Sequence, residues 1–396
     1  MMQIKKNKFV RAFLVTDKIR NIESFLNYLL LIPIILLLIL ISWVNAQATT
    51  YYVSPSGRDN NKGSKSAPFR TIQHAAGSVN PGDTVIVGDG TYTGPDGGAI
   101  VELGRGGRSG APITFKSANK WGAVLEGNNS AWYGFEFDGN VNYINIEGFQ
   151  MRNIGYAAFV NNGSHCLYFY NNNVSNSEFE IIGGNNYNIT FDSNVIHDTG
   201  YNFVENNAAR HGLYIRNVNN YTAINNIFYN IAGFGVHLYG GSASNVNIVG
   251  NTFAFPSVAG KNGQIGIFEP VSGLYIADNI FYNPNNCAVI IRYVRLWQLK
   301  GFTIDNNLTT AKIIINCLDW GGNVRMLNGF KYSARNNLTN TDPMFTDPHE
   351  FNFHLRQGSP AIGAGIARSR RSFDADGNYM SNPRDIGANE YTATGK

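Results

Sequence analysis

Four short apolar segments in the middle of the chain carry polar and aromatic side chains at alternate positions. They occupy residues 212–216, 235–239, 265–269 and 289–292. Successive side chains of a β-strand point to opposite faces, so strands with one face in a core present their other residues outward. The residues placed inside are Leu213, Val236, Ile267 and Val289, and those placed outside are Tyr214, Arg216, His237, Tyr239, Phe268 and Arg292. Because arginine forks pair with carboxylates and aromatic rings stack on sugars, this face is predicted to bind an acidic sugar chain.

Elimination in a uronic acid requires a group that neutralises the substrate carboxylate and a base that removes the acidified C5 proton. Arginine or Ca²⁺ can fill the first role, and Arg, Lys, His or Tyr with a tuned pKa can fill the second. We predict His211 or His237 as the base. The predicted carboxylate clamps are Arg216 and Arg292. A structural alternative stays open for each, because a histidine beside a turn can serve only as a hydrogen-bonding group and an arginine can simply solvate an exposed sheet.

An irregular stretch, residues 201–210, separates the dipeptide His197-Asp198 from His211. Insertions in repetitive folds form loops on one face, often the binding face, so this stretch is predicted to bring Glu205 and Arg210 to the outer face. The predicted substrate-binding residues are Tyr214, Tyr239, Glu205, Arg210, Phe268 and Glu269. The dipeptide itself is either an acid–base pair or a turn, and a turn is the favoured interpretation.

Two further chemistries are weaker in the sequence. A glycoside hydrolase needs two carboxyl groups roughly 5 to 10 Å apart. No motif pairs the available carboxyl groups, which are Asp198, Glu205 and Glu269, with Glu178 and Glu180 on a neighbouring coil. Residues 374–378, Asp-Ala-Asp-Gly-Asn, resemble a calcium loop without its distal glutamate, which favours a turn. Ca²⁺ therefore stays a candidate cofactor with no ligands assigned.

A repeat explains how these residues would be positioned. Seven segments align without gaps, at 144–154, 167–177, 189–199, 221–231, 246–256, 274–284 and 302–312. Positions one and three are mostly apolar, which indicates a strand with one buried face. Position six is asparagine in all but the first segment: Asn172, Asn194, Asn226, Asn251, Asn279 and Asn307, with Asn337 as a further rung. Coils this short leave no room for a helix, so the repeat predicts a parallel β-helix with an internal asparagine ladder and a core column of Phe228, Phe253 and Phe281.

The two ends of the chain differ from the repeat. Residues 68–79 are predicted to form an amphipathic helix that caps the first coil, followed by a strand at 84–87. We predict residues 1–46 as a signal peptide and 47–396 as one domain. Within it, 51–130 form the N-terminal cap and first coils, 131–340 the regular coils, and 341–396 the C-terminal closure.

The N-terminal segment and the charge composition indicate the cellular compartment and the class of binding partner. A basic stretch, an apolar run at 29–41 and small residues before Gln47 are typical of a secretory signal peptide, with an uncleaved anchor as the alternative. Cleavage after Ala46 would remove six of the 31 Lys and Arg and two of the 27 Asp and Glu, leaving 25 of each. A neutral chain argues against nucleic-acid binding. Three cysteines without close spacing indicate neither a disulfide framework nor a zinc site. We expect a secreted monomer, extracellular or periplasmic, without a membrane span in the mature chain.

Several motifs resemble one known superfamily. Residues 51–57, 67–73, 81–85 and 89–92 resemble its opening, and residues 358–365 and 385–391 resemble its close. On these motifs and the coils, the chain resembles the pectate-lyase-like superfamily of secreted bacterial right-handed parallel β-helix proteins. The resemblance implies an all-β, single-stranded right-handed β-helix with an N-terminal capping helix.

The same superfamily contains polysaccharide lyases, glycoside hydrolases, epimerases and proteins without known activity, so the fold does not settle the reaction. Many of its lyases use a lysine, and residues 153–256 contain none, which disfavours a lysine-dependent mechanism. We predict a secreted enzyme that cleaves a pectin-like, uronic-acid-containing polysaccharide by β-elimination. The alternatives are a glycoside hydrolase on the same fold and a noncatalytic carbohydrate-binding surface protein.

Overall fold

The computed structural model describes residues 48–396, together with Ile32. Within that range it leaves out residues 162, 201–209, 257–263, 285–286, 295–297, 318–331, 367–372 and 394–396. The chain divides into two compact units, Met1–Gln47 and Ala48–Lys396, and the strands lie in the second. The predicted signal peptide and Glu205 lie outside the described residues. No helix in the described part of the chain is both long enough and apolar enough to cross a membrane.

The strands from Thr50 to Arg335 form a right-handed parallel β-helix of three sheets, and most coils contribute one strand to each sheet. Sheet 1 contains Thr50–Val53, Thr84–Val87, Ile113–Ser117, Ile144–Glu147, His165–Tyr170, Asn186–Asp192, Val218–Ile224, Ala243–Val249, Val271–Ala277, Phe302–Asp305 and Tyr332–Arg335. Sheet 2 contains Gly90–Tyr92, Ala123–Glu126, Gln150–Arg152, Asn173–Ser175, Val195–Thr199, Ile227–Ile231, Thr252–Pro256, Ile280–Tyr282 and Leu308–Thr309. Sheet 3 contains Ala99–Leu103, Tyr133–Phe137, Tyr156–Val160, Glu178–Ile181, Leu213–Ile215, Val236–Leu238, Ile265–Ile267, Cys287–Ile291 and Ile313–Cys317.

The predicted asparagine ladder occupies the turn between sheets 1 and 2. Each side-chain amide donates to the amide oxygen of the next rung, from Asn172 through Asn194, Asn226, Asn251, Asn279 and Asn307 to Asn337, at 2.9 to 3.0 Å. Every rung from Asn172 to Asn307 is fully buried. The residues just before several rungs, such as Asn171 and Asn225, have φ near +55°, a left-handed conformation that asparagine tolerates. The ladder thereby satisfies buried amides that would otherwise destabilise the turn.

The interior of the coils is filled by apolar side chains from all three sheets. Phe228 stacks on Phe253 at 4.7 Å between ring centroids, and Phe253 stacks on Phe281 at 5.1 Å. All three rings are at most 1% exposed, which confirms the predicted core column. Stacked positions repeat because each coil lies directly on the previous one, at about 4.8 Å.

The N-terminal helix is shorter than predicted, at Ile72–Ser78. Thr71 caps it by accepting a hydrogen bond from the His74 N–H at 3.1 Å. The residues before it stay extended because the Phe69 N–H donates to the Tyr52 carbonyl at 2.9 Å. The following strand, Thr84–Val87, has its predicted bounds.

The C-terminal segment runs back along the side of the coils. After an antiparallel pair, Phe345–Asp347 with Asn352–Leu355, joined by the 3₁₀ turn Pro348–Glu350, the tail has little regular structure. The Arg384 guanidinium donates to the Asn225 amide oxygen at 3.0 Å, and the Ala388 N–H donates to the Thr252 hydroxyl at 3.1 Å. The contacts described for this tail are therefore lateral, whereas its role as a closure of the last coil stays a prediction.

Candidate functional site

The outer face of sheet 3 carries the predicted site residues. Leu213 and Val236 are fully buried inside the coils. The residues that follow them, Tyr214 and His237, lie on the opposite, outer face of their strands, as the alternation of strand side chains predicts. Tyr214 pairs in register with Glu180 on one side and with His237 on the other. These three side chains therefore form one outward column on consecutive coils.

His211 and His237 form a hydrogen-bonded pair on this face. The Phe234 N–H donates to His211 Nδ1 at 2.9 Å, and His211 Nε2 lies 3.0 Å from His237 Nδ1. An Nδ1 that accepts from the backbone places the proton of a neutral His211 on Nε2, from which it donates to His237. Neither ring is solvent-facing: His211 is 9% and His237 6% exposed. The pair lies outside the core of the coils, as predicted, but beneath the surface.

Glu178 anchors the chain where it re-enters the sheet after residues 201–209. One carboxylate oxygen accepts from Arg210 at 2.8 Å, and the other accepts from the His211 N–H at 2.8 Å. Burial raises the pKa of Glu178 to about 7, although Arg210 opposes this shift. The Arg210 guanidinium also lies 4.7 Å from the centre of the Tyr156 ring. These contacts give Arg210 a positioning role, and its contact with a substrate stays a prediction.

Tyr214 and Arg216 form a hydrogen-bonded pair at the surface, in which a proton-transfer group contacts a cation. The Arg216 guanidinium donates to the Tyr214 hydroxyl at 2.6 Å and lies 4.7 Å from the centre of its ring. Both side chains are partly exposed. Burial raises the pKa of Tyr214, and the hydrogen bond from Arg216 offsets part of that increase. The guanidinium thus favours the phenolate form of a tyrosine that is otherwise hard to ionise.

Two arginines on this face are available for an anionic ligand. Within the described residues, neither Arg216 nor Arg292 forms an ion pair within 4.0 Å. The Arg292 guanidinium stacks 4.6 Å from the Tyr293 ring, and its backbone N–H donates to Ile267 at 3.1 Å. When an arginine stacks on a ring, its N–H donors still point outward in the plane of the guanidinium, where a carboxylate can accept two hydrogen bonds.

Buried carboxyl groups flank Arg216. Burial raises the pKa of Glu180, with Tyr156 and Arg216 opposing the shift. Glu269 is 1% exposed, accepts from the Gly241 N–H at 2.7 Å, and has its pKa raised by burial to about 7. Glu269 can therefore hold a proton near neutral pH.

The remaining predicted aromatic residues lie on sheet 3, whereas the dipeptide His197-Asp198 lies on sheet 2. Tyr239, 41% exposed, stacks on His237 at 5.5 Å, and Phe268 meets the same histidine edge-on at 4.7 Å. The His197-Asp198 dipeptide instead lies on sheet 2, where the two side chains are 2.7 Å apart. Both residues lie inside the strand Val195–Thr199, so the turn interpretation is wrong, and the φ of +52° at Asp198 is a local irregularity of that strand.

Tyr156 was missed by the sequence analysis. It pairs in register with Glu178, and its pKa is raised to about 12 by burial and by Glu180. Its coil lacks the position-six asparagine that marks the later rungs, so the repeat gave no register for it.

Among the described residues, no group of three or more His, Cys, Asp or Glu side chains is arranged to hold a metal ion. In the loop at 374–378, Asp374 accepts from the N–H groups of Asp376 at 2.9 Å and Asn378 at 2.7 Å, as a turn requires. The donors already around this carboxylate do not fit a cation.

Comparison with known proteins identifies relatives over part of the chain. Residues 51–246 match the family model described as Pel9A-like, right handed beta helix region. Pectate lyase L of Dickeya dadantii (strain 3937) is 32% identical over 156 residues, which are 36% of this chain and 36% of that protein. Uncharacterized protein YwoF of Bacillus subtilis (strain 168) is 38% identical over 80 residues, 20% of this chain and 16% of that one. The match thus covers 36% of the length of the first of these curated relatives and 16% of the second.

Among solved structures, the crystal structure of pectate lyase Pel9A superposes with a TM-score of 0.51 at 17% identity. The match covers 88% of this chain and 97% of that one. At this identity the likeness extends to the arrangement of the coils.

Proposed function

Because the chain belongs to the pectate-lyase-like superfamily of right-handed parallel β-helix proteins, we propose that it is a polysaccharide-active enzyme. The reaction we propose is β-elimination in a uronic-acid-containing, pectin-like polysaccharide bound on the outer face of sheet 3. The observation that carries this proposal is the Tyr214–Arg216 hydrogen bond of 2.6 Å, which couples a proton-transfer group to a cation on a partly exposed face. Secretion through residues 1–46 is part of the same proposal.

Arg216 and Arg292 would each bind a carboxylate of the substrate chain. Neutralising this carboxylate makes the adjacent C5 proton more acidic, because negative charge develops next to it when the proton leaves. Arg216 and Arg292 follow strands that are three strand spacings apart, about 14 Å, so each forked donor can orient a different uronate of the bound chain.

Tyr214 would transfer the proton. Its phenolate takes the C5 proton, the electrons of that C–H bond form the C4–C5 double bond, and the C4–O4 bond breaks. In a galacturonate ring O4 leaves from the face opposite to the C5 proton, so the departing oxygen receives a proton from a water molecule on that face. Tyr214 then releases its proton to solvent, which regenerates the phenolate.

His211 and His237 would position Tyr214. Their ring centroids lie 5.2 and 5.3 Å from the Tyr214 ring, and the hydrogen bond from the Phe234 N–H fixes the orientation of the pair. The assignment of the base to His211 or His237 stays a prediction. We favour Tyr214 because both histidines are buried and His237 accepts at Nδ1 from His211.

The test is to incubate the purified chain with pectate, alginate and glucuronan, with Ca²⁺ and with EDTA. We expect ultraviolet absorbance from an unsaturated uronate, lost in Tyr214→Phe and retained in Tyr379→Phe, a matched change at a tyrosine that is 78% exposed on the tail. The EDTA arm measures whether Ca²⁺ is required. New reducing ends without absorbance would overturn the elimination.

A glycoside hydrolase is the second candidate. It is favoured by Glu180 and Glu269, two carboxyl groups with raised pKa that both interact electrostatically with Arg216. Hydrolysis requires one protonated and one ionised carboxyl group, and raised pKa values supply the acid. Absence of both products, with binding retained, would instead indicate a noncatalytic carbohydrate-binding protein.

A further inference from the structure

Toward the N-terminal end of sheet 3, the outer face carries aromatic rings in place of arginines. Tyr133 and Tyr156 stack at 5.8 Å, and Phe159 lies 4.8 Å from Tyr133. Trp132, 6.4 Å from Tyr133, is 46% exposed. These four residues are called the aromatic platform. It is continuous with the candidate site, since Tyr156 pairs in register with Glu178.

Carboxyl groups border the aromatic platform on the side away from the arginines. Glu102 pairs in register with Glu136, which pairs with Phe159, and Asp138 follows on the same coil. Burial raises the pKa of Glu136, and the charges of Glu102 and Asp138 raise it further. In the described part of the chain, no ion pair includes any of these three carboxyl groups, which are called the acid end.

The outer face therefore changes sign along the axis of the coils. Glu136 and Tyr214 are separated by three strand spacings, about 14 Å. A uronate beside Arg216 and Arg292 finds opposite charge, whereas a uronate over the acid end meets like charge that no local cation offsets. A neutral sugar can stack on the aromatic platform without this repulsion.

We infer that the aromatic platform and the acid end bind neutral sugar residues. The substrate is then a mixed polysaccharide in which uronates are joined to neutral sugars, not a continuous polyuronate. This inference rests on the proposed function, because it takes the arginine end of the face as the uronate site.

The experiment measures binding by calorimetry at low salt, first in EDTA and then in a second series with Ca²⁺. All binding measurements use the Tyr214→Phe variant, which is expected to bind the oligosaccharides without cleaving them. The probes are a hexasaccharide alternating galacturonate with rhamnose and a hexasaccharide of galacturonate alone. We expect the mixed probe to bind more tightly. Adding Glu136→Gln should tighten the galacturonate probe roughly threefold and leave the mixed probe unchanged.

Two aromatic variants complete the test. Adding Trp132→Ala should weaken the mixed probe roughly tenfold, because it removes a stacking surface. Adding Tyr379→Ala, which removes an exposed aromatic ring from the tail, should change neither affinity.

Equal affinity for the two probes would overturn the inference. So would a weaker galacturonate affinity in Glu136→Gln that appears only with Ca²⁺, because the carboxyl groups would then hold a bridging cation. The readout needs no turnover, so failure of the lyase assay with this preference intact would overturn the proposed reaction and not the sugar preference.

Discussion

At the scale of single residues, the candidate site depends on how burial and neighbouring charges set protonation. Tyr214 and Glu269 both have a raised pKa, with burial as the first cause, yet the consequences are opposite. A tyrosine that must ionise to react becomes less available at neutral pH. A carboxyl group that must be protonated to donate becomes more available.

Replacing Tyr214 by Phe should lower the turnover number by about two to four orders of magnitude if it transfers the proton. In the wild-type chain the rate should rise with pH through the alkaline range, because the phenolate is the reactive form and its pKa is above the ordinary value. The measurement is a pH–rate profile of product absorbance. A profile that falls above neutral pH would assign the chemistry to a protonated acid instead.

Replacing Glu269 by Gln should make stability less dependent on pH. The folded-state pKa of about 7 lies above the value of an unfolded glutamate, so the folded chain binds the proton more tightly. This tighter proton binding stabilises the folded chain fully below the unfolded pKa, and the stabilisation is lost as pH rises toward 7. The free energy of unfolding falls by at most about 3 kcal/mol over this range. Thermal midpoints at pH 5 and pH 8 should converge in the variant. Glu350→Gln, at an exposed carboxyl group, is the control.

At the scale of elements, the coils are held in register by the ladder and the stacked core. Asn251 takes part in both directions, accepting from Asn226 and donating to Asn279. Removing one rung therefore leaves a buried donor on one side and a buried acceptor on the other, and each unpaired group is costly.

Asn251→Ala should lower the free energy of unfolding by about 2 to 5 kcal/mol for this reason. Asn245→Gly is the matched control on the outside of sheet 1, where an exposed amide bonds to Asn220 at 2.9 Å. Glycine is chosen because Asn245 has φ of +52°. Denaturant titrations should show a loss below about 1 kcal/mol for the control. Equal losses would mean that the internal ladder has no special role.

The ladder also shows how far the sequence could predict this molecule. Coil registers from Asn172 onward were predictable, since an internal asparagine and two apolar positions recur in every coil. Tyr156 was not, because its coil lacks the asparagine that sets the register. The burial of His211 and His237 was not predictable either, as it depends on Phe234, Phe268 and neighbouring rings that alternation alone does not bring together.

At the scale of the whole molecule, the tail covers the outer face of the later strands of sheet 2. Ile280 and Leu308 are fully covered and pack with Phe345, Phe353 and Ile386 in a second apolar cluster. The tail reaches this position through Gly387, whose N–H donates to the Asp278 carbonyl at 2.8 Å. The lateral tail therefore covers apolar surface that the coils alone would expose.

Gly387→Ala should release the tail before the coils unfold. Its φ is +104°, and an added Cβ would lie 2.7 Å from Ile280 Cδ1. Gly377→Ala is the matched control, since it has φ of +89° and no atom within 4 Å of the added Cβ. Hydrogen exchange should show faster exchange in residues 373–393 of Gly387→Ala, with the ladder amides still protected. Similar exchange in both variants would mean that backbone strain, not the close approach, holds the tail.

The uniform direction of the asparagine ladder has a consequence for how such a chain can change over generations. Every rung from Asn172 to Asn307 presents the same acceptor to the coil before it and the same donor to the coil after it. A duplicated coil would therefore join its neighbours without leaving an unmatched amide, whatever the length of its loops. Gene duplication within this region can lengthen the protein one turn at a time, and the new turn would extend the outer face of sheet 3 in the same step.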